Sequence, residues 1–308
     1  MSLRILVTGA TGQVGWQLQR TLAPLGEVVA RTRSQLDLSN PEQTAKYVRE
    51  LIPHVVINAA AYTAVDKAES EQELAHTINA ITPGRIAAEL AQTGGLLVHY
   101  STDYVFDGTK VGPYVEQDPT RPLNVYGQTK LAGEQAIAVS GCAYVILRTS
   151  WVYDTRGKNF LRTVLRLARE REELRMVDDQ HGAPTWARAI AEATAQIVAG
   201  CARHSERSGW DGNGVFHLTS GGATTWAGFA EQILNDYEAL ASWPADTGEF
   251  GSPLMAERVV PITSDQYKTP ARRPRNSVLS NEKLLSVFGL KLPDWKILLR
   301  LALQDAIR

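Results

Sequence analysis

The stretch TGATGQVG, residues 8–15, places Gly9, Gly12 and Gly15 between a short apolar segment and an amphipathic one. We predict a strand before this stretch and a helix over residues 14–25. Glycines in such a turn let a pyrophosphate approach the backbone, because a Cβ would block it, and the helix start offers unpaired N–H groups and a positive dipole end. The spacing G-x-x-G-x-x-G differs from the commoner G-x-G-x-x-G, and a tight turn without a ligand is the alternative. The position after a first strand favours a dinucleotide site.

Strands and helices alternate through the first half of the chain. After a first strand over residues 4–8, predicted strands cover residues 27–30, 55–58, 96–100 and 144–147, and predicted helices cover residues 41–51, 75–92 and 125–139. The strands are rich in Val, Ile and Leu on both faces, which is typical of a parallel sheet covered by helices on both sides. The predicted fold class is therefore α/β, with a Rossmann-type doubly wound parallel sheet.

The pattern becomes less regular after Trp151. Predicted helices cover residues 159–172, 185–198, 225–240 and 281–287, with a last one from Asp294, and turn-rich segments cover residues 203–214 and 241–253. We predict a dinucleotide-binding domain over residues 1–150. Residues 151–308 are predicted to form mainly a smaller, irregular α/β substrate domain, with some segments returning to the cofactor domain.

Composition and charge narrow the class of protein. The 308 residues are 44% hydrophobic and 21% charged, and their formal net charge of −1 gives no electrostatic reason to expect nucleic acid or a membrane surface as a partner. No apolar run is long enough for a signal peptide or a membrane span. Cys142 and Cys201 are too few for a disulfide framework and lack metal-ligand spacing. These features favour a cytoplasmic protein with reduced thiols.

The end of the second strand is expected to contact the adenosine of a dinucleotide. An NAD site usually carries an acidic residue there, whereas this chain has Arg31 and Arg33. A guanidinium pairs well with a 2′-phosphate, so we predict NADPH as the preferred cofactor, with NADH possible; two exposed surface arginines are the alternative. Asp37 either reaches the adenine amino group or caps a turn. The small side chains of NAAA, residues 58–61, either leave room for a flat cofactor or allow close helix packing.

Two further stretches carry hydroxyl and amine groups: STDYVF, residues 101–106, and YGQTK, from Tyr126 to Lys130. The first follows a strand in which His99 is interpreted as a core residue, and the carboxyl ends of parallel strands form the ligand crevice. Residues i and i+4 of a helix share a face, so the tyrosine and the lysine are expected to point the same way. The ammonium is expected to lower the phenol's pKa from about 10 towards neutrality, so that the phenol donates a proton while Thr102 orients the carbonyl. Hydride transfer to a ketone needs this set of groups.

Seven stretches together resemble the dTDP-4-dehydrorhamnose reductase family of the extended short-chain dehydrogenase/reductases. They are TGATGQVG, NAAAYTAVDKAES, HYSTDYVFDG, PLNVYGQTKLAGE, RTSWVY, DDQHGAPT and TPARRPRNSVLS, and they span nearly the whole chain. The resemblance implies NADPH- or NADH-dependent reduction of the 4-keto group of dTDP-6-deoxy-L-lyxo-4-hexulose to dTDP-L-rhamnose. It also implies that the second domain meets a nucleotide-sugar substrate.

The resemblance implies roles for individual residues. It places Gly12, Gln13 and Val14 at the cofactor pyrophosphate, Asp37 and Leu38 near adenine, Ala59, Ala60 and Ala61 along the cofactor, Tyr126 and Lys130 as the catalytic pair beside Thr102, and Asp103 or Tyr104 with Trp151 against the sugar. Some relatives dimerise through acidic residues that hold a magnesium ion, and Gln17 and Arg188 stand at two of those positions. No bound metal is therefore expected, and the chain is expected to be a monomer or a homodimer.

The substrate side offers candidates with two interpretations each. The arginines of PARRPRNS (Arg272, Arg273 and Arg275) suit the oxygens of a diphosphate, and the resemblance favours a role for at least one, with Arg272 as our choice; a solvated basic loop is the alternative. Trp151 either stacks on the hexose or packs in the core. Asn159 either reaches the sugar nucleotide or caps a helix.

Other activities share this scaffold. A 4,6-dehydratase needs further acid and base groups, typically Asp-Glu after the threonine, whereas here Asp103 is followed by Tyr104. An epimerase uses its cofactor without net turnover, and a reductase needs no more than Thr102, Tyr126 and Lys130, so we favour a reductase. The alternatives are a reductase of another nucleotide-linked 4-keto sugar and a non-catalytic NADP-binding regulatory subunit of methionine adenosyltransferase type. The intact trio argues against the regulatory subunit.

Overall fold

A parallel sheet of six strands forms the centre of the structure, a computed structural model that describes residues 2–204, 213–241 and 253–307. In spatial order its strands are β10 (Gly214–His217), β5 (Ala143–Thr149), β4 (Leu96–Thr102), β3 (Val55–Asn58), β1 (Leu3–Thr8) and β2 (Gly26–Arg31). Short strands outside this sheet pair in twos: β6 (Val152–Tyr153) with β9 (Thr185–Trp186), β7 (Glu173–Val177) with β12 (Arg258–Ile262), and β8 (His181–Gly182) with β11 (Thr224–Thr225).

Helices cover both faces of the central sheet. They are α1 (Gln13–Thr21), α2 (Pro41–Leu51), α3 (Val65–Ala68), α4 (Gln72–His76), α5 (Thr82–Thr93), α6 (Val125–Ala138), α7 (Phe160–Ala168), α8 (Ala187–His204), α9 (Trp226–Ala241), α10 (Glu282–Phe288) and α11 (Trp295–Ile307), with 3-10 turns at Ala23–Leu25, Asp103–Val105 and Ser264–Gln266. The predicted fold class, a Rossmann-type doubly wound parallel sheet, is confirmed.

Alternation along β1 explains why the core has two layers. Ile5 and Val7 face one side of the sheet with Leu18 of α1, and Leu6 faces the other side with Ile86 of α5. All five side chains are fully buried. Because helices cover both faces, the strands are apolar throughout their length.

The turn between β1 and α1 requires glycine at two positions. Gly9 has a φ of +69°, a left-handed conformation that residues with a Cβ rarely adopt. A Cβ at Gly15 would lie 2.1 Å from the carbonyl oxygen of Gly9, so glycine is needed for α1 to approach the turn so closely. The turn thereby brings the start of α1 to the carboxyl end of the sheet.

The strand order reverses between β1 and β3. The chain passes from β1 to β2 on one side of the sheet and returns to β3 on the other, which opens a crevice at the carboxyl ends of the strands. Thr8, Asn58 and Thr102 are the last residues of the neighbouring strands β1, β3 and β4. The polar residues that end these strands therefore lie at the same edge of the sheet.

The helix predicted over residues 75–92 is interrupted. A π-helical turn, Thr77–Ile81, joins α4 to α5. Pro83, in the first turn of α5, has no N–H with which to bond the carbonyl of Asn79. Gly133 of α6 packs against that carbonyl, where a Cβ would lie only 2.1 Å from the oxygen. The irregular turn thus allows α6 to approach closely.

Other element ends differ from the prediction for local reasons. The helix predicted over residues 185–198 begins two residues later as α8, because the first two residues form β9 and pair with β6. The helix predicted over residues 159–172 is shorter and ends as α7 at Ala168. The predicted turn-rich segments 203–214 and 241–253 fall largely outside the described residues.

The second half of the chain contributes to the central sheet. Strand β10 pairs with β5 at the edge of the sheet, and α8 packs against α1. The division of the chain at residue 150 stays a prediction. Within the three described ranges, no helix is long and apolar enough to cross a membrane.

Candidate active site

A cleft of about 500 Å³ opens at the carboxyl ends of β1, β3 and β4. Its lining includes these residues predicted to bind a cofactor: Gly9, Gly12, Gln13, Val14, Arg33, Asp37, Leu38, Ala59, Ala60, Ala61, Tyr126 and Lys130. The structure therefore brings together predicted residues from both ends of the first half of the chain.

The cleft presents polar atoms that suit a phosphate-bearing ligand. Helix α1 begins at Gln13 with no side chain capping its first N–H groups, and such a helix start binds anions. Three buried oxygens, Oε1 of Gln13, Oγ of Ser101 and Oγ1 of Thr149, have no hydrogen-bond partner, and all three residues line the cleft. Because buried polar atoms are normally hydrogen-bonded, these oxygens fit the hydroxyl groups of a bound nucleotide.

The two arginines at the end of β2, Arg31 and Arg33, have different surroundings. Arg31 donates from Nε to the hydroxyl of Tyr47 at 2.7 Å and packs over that ring. Arg31 does not line the cleft, although we predicted that it contacts the cofactor. Arg33 lines the cleft with a side chain that is 75% exposed, and its Nε lies 3.8 Å from the Asp37 carboxylate. Asp37 also accepts the N–H of Ser39 at 3.0 Å, and this bond lowers the pKa of Asp37. Asp37 therefore both lines the cleft and caps a turn.

Several lining residues escaped the sequence analysis. Thr63, Tyr100 and Lys158 also line the cleft. Thr63 lies two residues after NAAA, so extending that four-residue stretch by two residues would have included it. Lys158 adds a cation to the wall, but it stands in an ordinary polar loop, DTRGKNF, where no local pattern marks it.

Tyr126 and Lys130 lie one turn apart near the start of α6. Asn124 caps this helix, because its Oδ1 accepts the N–H of Gly127 at 2.8 Å. The amide nitrogen of the same side chain donates to the backbone oxygen of Arg272 at 2.7 Å and so ties the first turn to a distant loop. Both predicted catalytic side chains line the cleft, as their i, i+4 spacing indicates.

The phenol of Tyr126 holds its proton more tightly than we predicted. Burial raises the pKa of Tyr126 to about 12, although a hydrogen bond with Thr102 lowers it; the charge of Asp103 adds to the rise. The predicted lowering by Lys130 is not found. A phenol with this pKa is fully protonated at neutral pH, so it is suited to act as an acid.

The amine of Lys130 is buried at the wall of the cleft, where it contacts strand β4. Its Nζ lies 2.6 Å from the backbone oxygen of Tyr100 and 3.0 Å from Nε2 of His99. Burial lowers the pKa of Lys130 to about 8, and the charge of Glu134, one turn further along α6, raises it. The amine therefore changes its ionisation close to physiological pH.

Thr102, Asp103 and Tyr104 form one cluster with Tyr126. The Thr102 hydroxyl donates to Oδ1 of Asp103 at 2.9 Å and accepts the N–H of Tyr104 at 3.2 Å. The rings of Tyr104 and Tyr126 meet edge to face, with centroids 5.8 Å apart. Burial raises the pKa of Asp103 to about 6, while hydrogen bonds from Ser277 and Thr102 lower it. Oδ2 of Asp103 has no hydrogen-bond partner.

Replacement of Asp103 by asparagine is expected to stabilise the fold more at alkaline pH than in acid. The folded-state pKa of about 6 exceeds the usual 3.8, so the folded state loses stability as the pH rises through this range. A difference of about two pKa units corresponds to roughly 3 kcal/mol, and asparagine cannot ionise. Urea unfolding at about pH 4.5 and about pH 8 measures the effect. An equal change in the free energy of unfolding at both pH values would contradict this expectation.

A second cleft, of about 930 Å³, adjoins the loop that Asn124 holds. Arg272 and Arg275 line it. Arg273 also lines it, but its guanidinium bonds both carboxylate oxygens of Asp66, at 3.2 and 2.8 Å. Arg273 therefore anchors the loop, and the other two arginines bring positive charge to the cleft.

Trp151 and Asn159, which we predicted as possible sugar contacts, both contact other residues of the chain. Trp151 has a φ of +46°, which is rare for a residue other than glycine, and its ring stacks on that of Trp226 with centroids 3.6 Å apart. This stacking agrees with the interpretation of Trp151 as a packing residue. Asn159 caps α7, and its amide nitrogen donates to the backbone oxygen of Asp154 at 2.6 Å. Both polar atoms of the Asn159 side chain are therefore hydrogen-bonded to backbone, in agreement with the capping interpretation.

Gln17 and Arg188, which the resemblance aligns with magnesium-holding acids of some relatives, have partners within the fold. Gln17 donates from its amide nitrogen to Asp154 at 2.9 Å. The guanidinium of Arg188 pairs with the carboxylates of Glu192 and Asp305, so a positive charge already lies there. Across the described residues, no group of three or more His, Cys, Asp or Glu side chains is arranged to hold a metal ion.

The chain resembles known proteins over its whole length. Residues 3–307 match the family described as "RmlD substrate binding domain". The chain is 53% identical over 305 residues to the dTDP-4-dehydrorhamnose reductase of Burkholderia thailandensis, covering 99% of each. It is 45% identical over 299 residues to that of Escherichia coli, covering 96% of this chain and 95% of the relative. A crystal structure of dTDP-4-dehydrorhamnose reductase from Bacillus anthracis in complex with NADP superposes with a TM-score of 0.85 at 34% identity, covering 99% of this chain and 100% of that chain.

Proposed function

The chain belongs to the dTDP-4-dehydrorhamnose reductase family of NAD(P)H-dependent oxidoreductases, and on that premise we propose that it reduces the 4-keto group of dTDP-6-deoxy-L-lyxo-4-hexulose to give dTDP-L-rhamnose. The observation that carries the proposal is the hydrogen bond between Tyr126 and Thr102, because Tyr126 and Lys130 line a cleft with unsatisfied polar atoms. We propose NADPH as the cofactor, since the Bacillus anthracis relative binds NADP and Arg33 lines the cleft.

Tyr126 is proposed as the proton donor. NADPH, when bound, supplies the hydride that adds to the carbonyl carbon. The phenol keeps its proton at neutral pH, so it can transfer that proton to the 4-oxygen as negative charge develops there. The O–H bond of Tyr126 breaks as the new hydroxyl of the sugar forms, and the phenolate regains a proton from solvent.

Thr102 and Lys130 are proposed to orient the reacting groups. Thr102 lies in hydrogen-bond contact with Tyr126, so it can place the sugar carbonyl beside the phenol. The amine of Lys130 is held by the Tyr100 carbonyl and can direct an N–H into the cleft, where the ribose of the cofactor would accept it. Neither group needs to gain or lose a proton for these roles.

The second cleft is proposed to hold the diphosphate and nucleoside of the substrate. Arg272 and Arg275 line it, and one guanidinium group can donate two parallel hydrogen bonds to phosphate oxygens. Tyr104 contacts both Tyr126 and Arg273, which lines this cleft, and Asp103 is hydrogen-bonded to Thr102 next to it. They are therefore proposed to face the hexose.

Turnover tests this proposal directly. Purified protein, NADPH and the keto sugar should give loss of NADPH absorbance and formation of dTDP-L-rhamnose, identified by mass and proton spectra. If the protein reduces only a different nucleotide-linked 4-keto sugar, it is a reductase with a substrate other than the proposed one. Tight NADPH binding without turnover, together with a stable complex with a methionine adenosyltransferase, would support the regulatory alternative.

Replacement of Arg33 by alanine is expected to raise KM for NADPH by about tenfold and to leave KM for NADH unchanged. The reason is that Arg33 lines the cleft and can pair with the 2′-phosphate. Arg31→Ala is the matched control and should change neither value, because the Arg31 guanidinium bonds to Tyr47. Steady-state kinetics with both cofactors make the comparison. A loss of NADPH preference in Arg31→Ala alone would reverse the assignment.

A further inference from the structure

Asp66, in the one-turn helix α3, bonds the distant loop of residues 267–275. Its Oδ1 accepts the backbone N–H of Ala271, which lies 205 residues later in the chain, at 3.2 Å. Oδ1 and Oδ2 also accept the guanidinium of Arg273, at 3.2 and 2.8 Å. Burial raises the pKa of Asp66, but the hydrogen bonds from Arg273 and Ala271 lower it further, so the net shift is downward. The side chain is therefore a carboxylate at neutral pH.

The hydrogen bonds of this carboxylate hold the loop on both sides of Arg272. Ala271 precedes Arg272 and Arg273 follows it, so the backbone around Arg272 is fixed at two points. A third point is the Arg272 carbonyl, which accepts the side-chain amide of Asn124 at 2.7 Å. Residues 267–275 form no helix or strand, so side chains rather than regular backbone hydrogen bonds give this loop its shape.

The guanidinium that the carboxylate holds also contacts the cluster around the proposed proton donor. Arg273 is hydrogen-bonded to the side chain of Tyr104, whose ring meets that of Tyr126 edge to face. The Arg273 side chain is only 21% exposed. Because both carboxylate oxygens of Asp66 accept its N–H groups, the plane of the guanidinium is fixed, and its contact with Tyr104 is fixed with it.

We propose that Asp66 is a positioning residue for substrate binding: its carboxylate fixes the loop on both sides of Arg272, so that the Arg272 guanidinium meets the phosphate oxygens of a nucleoside diphosphate in the second cleft. This role rests on the function proposed above, in which that cleft holds the diphosphate and nucleoside of the substrate. Arg272 lines the cleft and Asp66 does not, so Asp66 acts through the loop. A guanidinium donates two parallel hydrogen bonds to phosphate only when its backbone is correctly placed.

Charge alone predicts the opposite effect of Asp66 on an anion. A carboxylate beside a basic loop repels a diphosphate, so its removal would tighten binding if electrostatic repulsion were its only influence. A positioning role predicts weaker binding after its removal, because Ala271 and Arg273 then lose a charged acceptor. The direction of the change in the dissociation constant therefore separates the two influences.

Binding of dTDP tests the proposal and needs no turnover, so a lack of reductase activity would leave the result readable. Titration calorimetry should give a dissociation constant for dTDP about tenfold higher in Asp66→Asn than in the wild type. The affinity for NADPH should stay at the wild-type value, because Asp66 does not line the cofactor cleft, and this second titration also shows that the variant is folded. An unchanged or lower dissociation constant for dTDP would overturn the proposal.

Two further variants complete the comparison. Glu89→Gln is the matched control and should bind dTDP like the wild type, because Glu89 also bonds an arginine, Arg49, with both oxygens, and neither residue lines either cleft. Arg272→Ala is the reference for the cleft itself and should bind dTDP more weakly. Wild-type affinity in Arg272→Ala would overturn the assignment of the second cleft, and the role of Asp66 with it. Weak binding in Arg272→Ala with wild-type affinity in Asp66→Asn would overturn the role of Asp66 alone.

Hydrogen exchange of the ligand-free protein tests the positioning step by itself. Peptides that contain Ala271 should exchange faster in Asp66→Asn than in the wild type, since the N–H of Ala271 loses a charged acceptor. The same peptides should exchange at the wild-type rate in Glu89→Gln. Equal rates in the wild type and in Asp66→Asn would overturn the proposal, because the carboxylate would then not hold the loop.

Discussion

Tyr126→Phe is expected to lower kcat by about 10²–10⁴-fold while leaving the affinity for NADPH close to that of the wild type. The change removes the hydroxyl that we propose as the proton donor and keeps the aromatic ring, which lines the cleft and meets the ring of Tyr104 edge to face. Because the hydroxyl acts when charge develops on the sugar oxygen, its loss should appear in kcat and hardly in cofactor binding. Steady-state turnover of the keto sugar and quenching of intrinsic fluorescence by NADPH measure the two quantities.

Tyr47→Phe serves as the control for the loss of a tyrosine hydroxyl. Its hydroxyl bonds to Arg31, and Tyr47 does not line the cleft, so both kcat and NADPH affinity should stay near the wild-type values. Retention of most of the turnover in Tyr126→Phe would show that another group delivers the proton. Asp103 would then be the first candidate, because it lies in the same cluster and burial raises its pKa to about 6.

The cofactor cleft could be predicted from the sequence because close backbone approach leaves short local patterns. The glycines of TGATGQVG mark places where a Cβ would collide with backbone, and at Gly15 that backbone belongs to Gly9, six residues earlier. The direction of Arg31 could not be predicted. Its partner, Tyr47, lies in α2, and their contact depends on how that helix packs against the sheet.

The chemistry of the predicted catalytic pair followed from the sequence only in part. Helical spacing correctly predicts that Tyr126 and Lys130 share a face, and the apolar strand correctly predicts that His99 is buried. The direction of the lysine amine depends on a carbonyl and a ring in β4, which α6 meets only in the folded chain. Periodicity identifies a face of a helix but not the atom that a long side chain contacts, so the partners of the Lys130 amine could not be predicted.

Helix α6, which carries the predicted catalytic pair, is also joined to the sheet by a buried ion pair. Glu134→Leu is expected to lower the free energy of unfolding by about 3–5 kcal/mol, because it leaves the guanidinium of Arg148 buried without its partner. Two hydrogen bonds, of 2.9 and 2.6 Å, join the side chains, and each side chain is 5% exposed. The ring of Phe106, 5.2 Å from the guanidinium carbon, offers only weak compensation. Urea unfolding of both proteins at neutral pH gives the difference.

The double variant Glu134→Leu/Arg148→Met separates the lost attraction from the cost of a stranded charge. Apolar side chains of similar volume can replace a buried ion pair at little cost, so the double variant should regain most of the stability lost in the single one. Glu170→Leu is the control, since it breaks the exposed pair with Arg166 and should cost at most about 0.5 kcal/mol. A cost for Glu134→Leu no larger than that of the control would mean that the buried pair does not hold α6 in place. A kcat that falls in the single variant and recovers in the double variant would instead show that the reaction depends on the packing of α6 against β5.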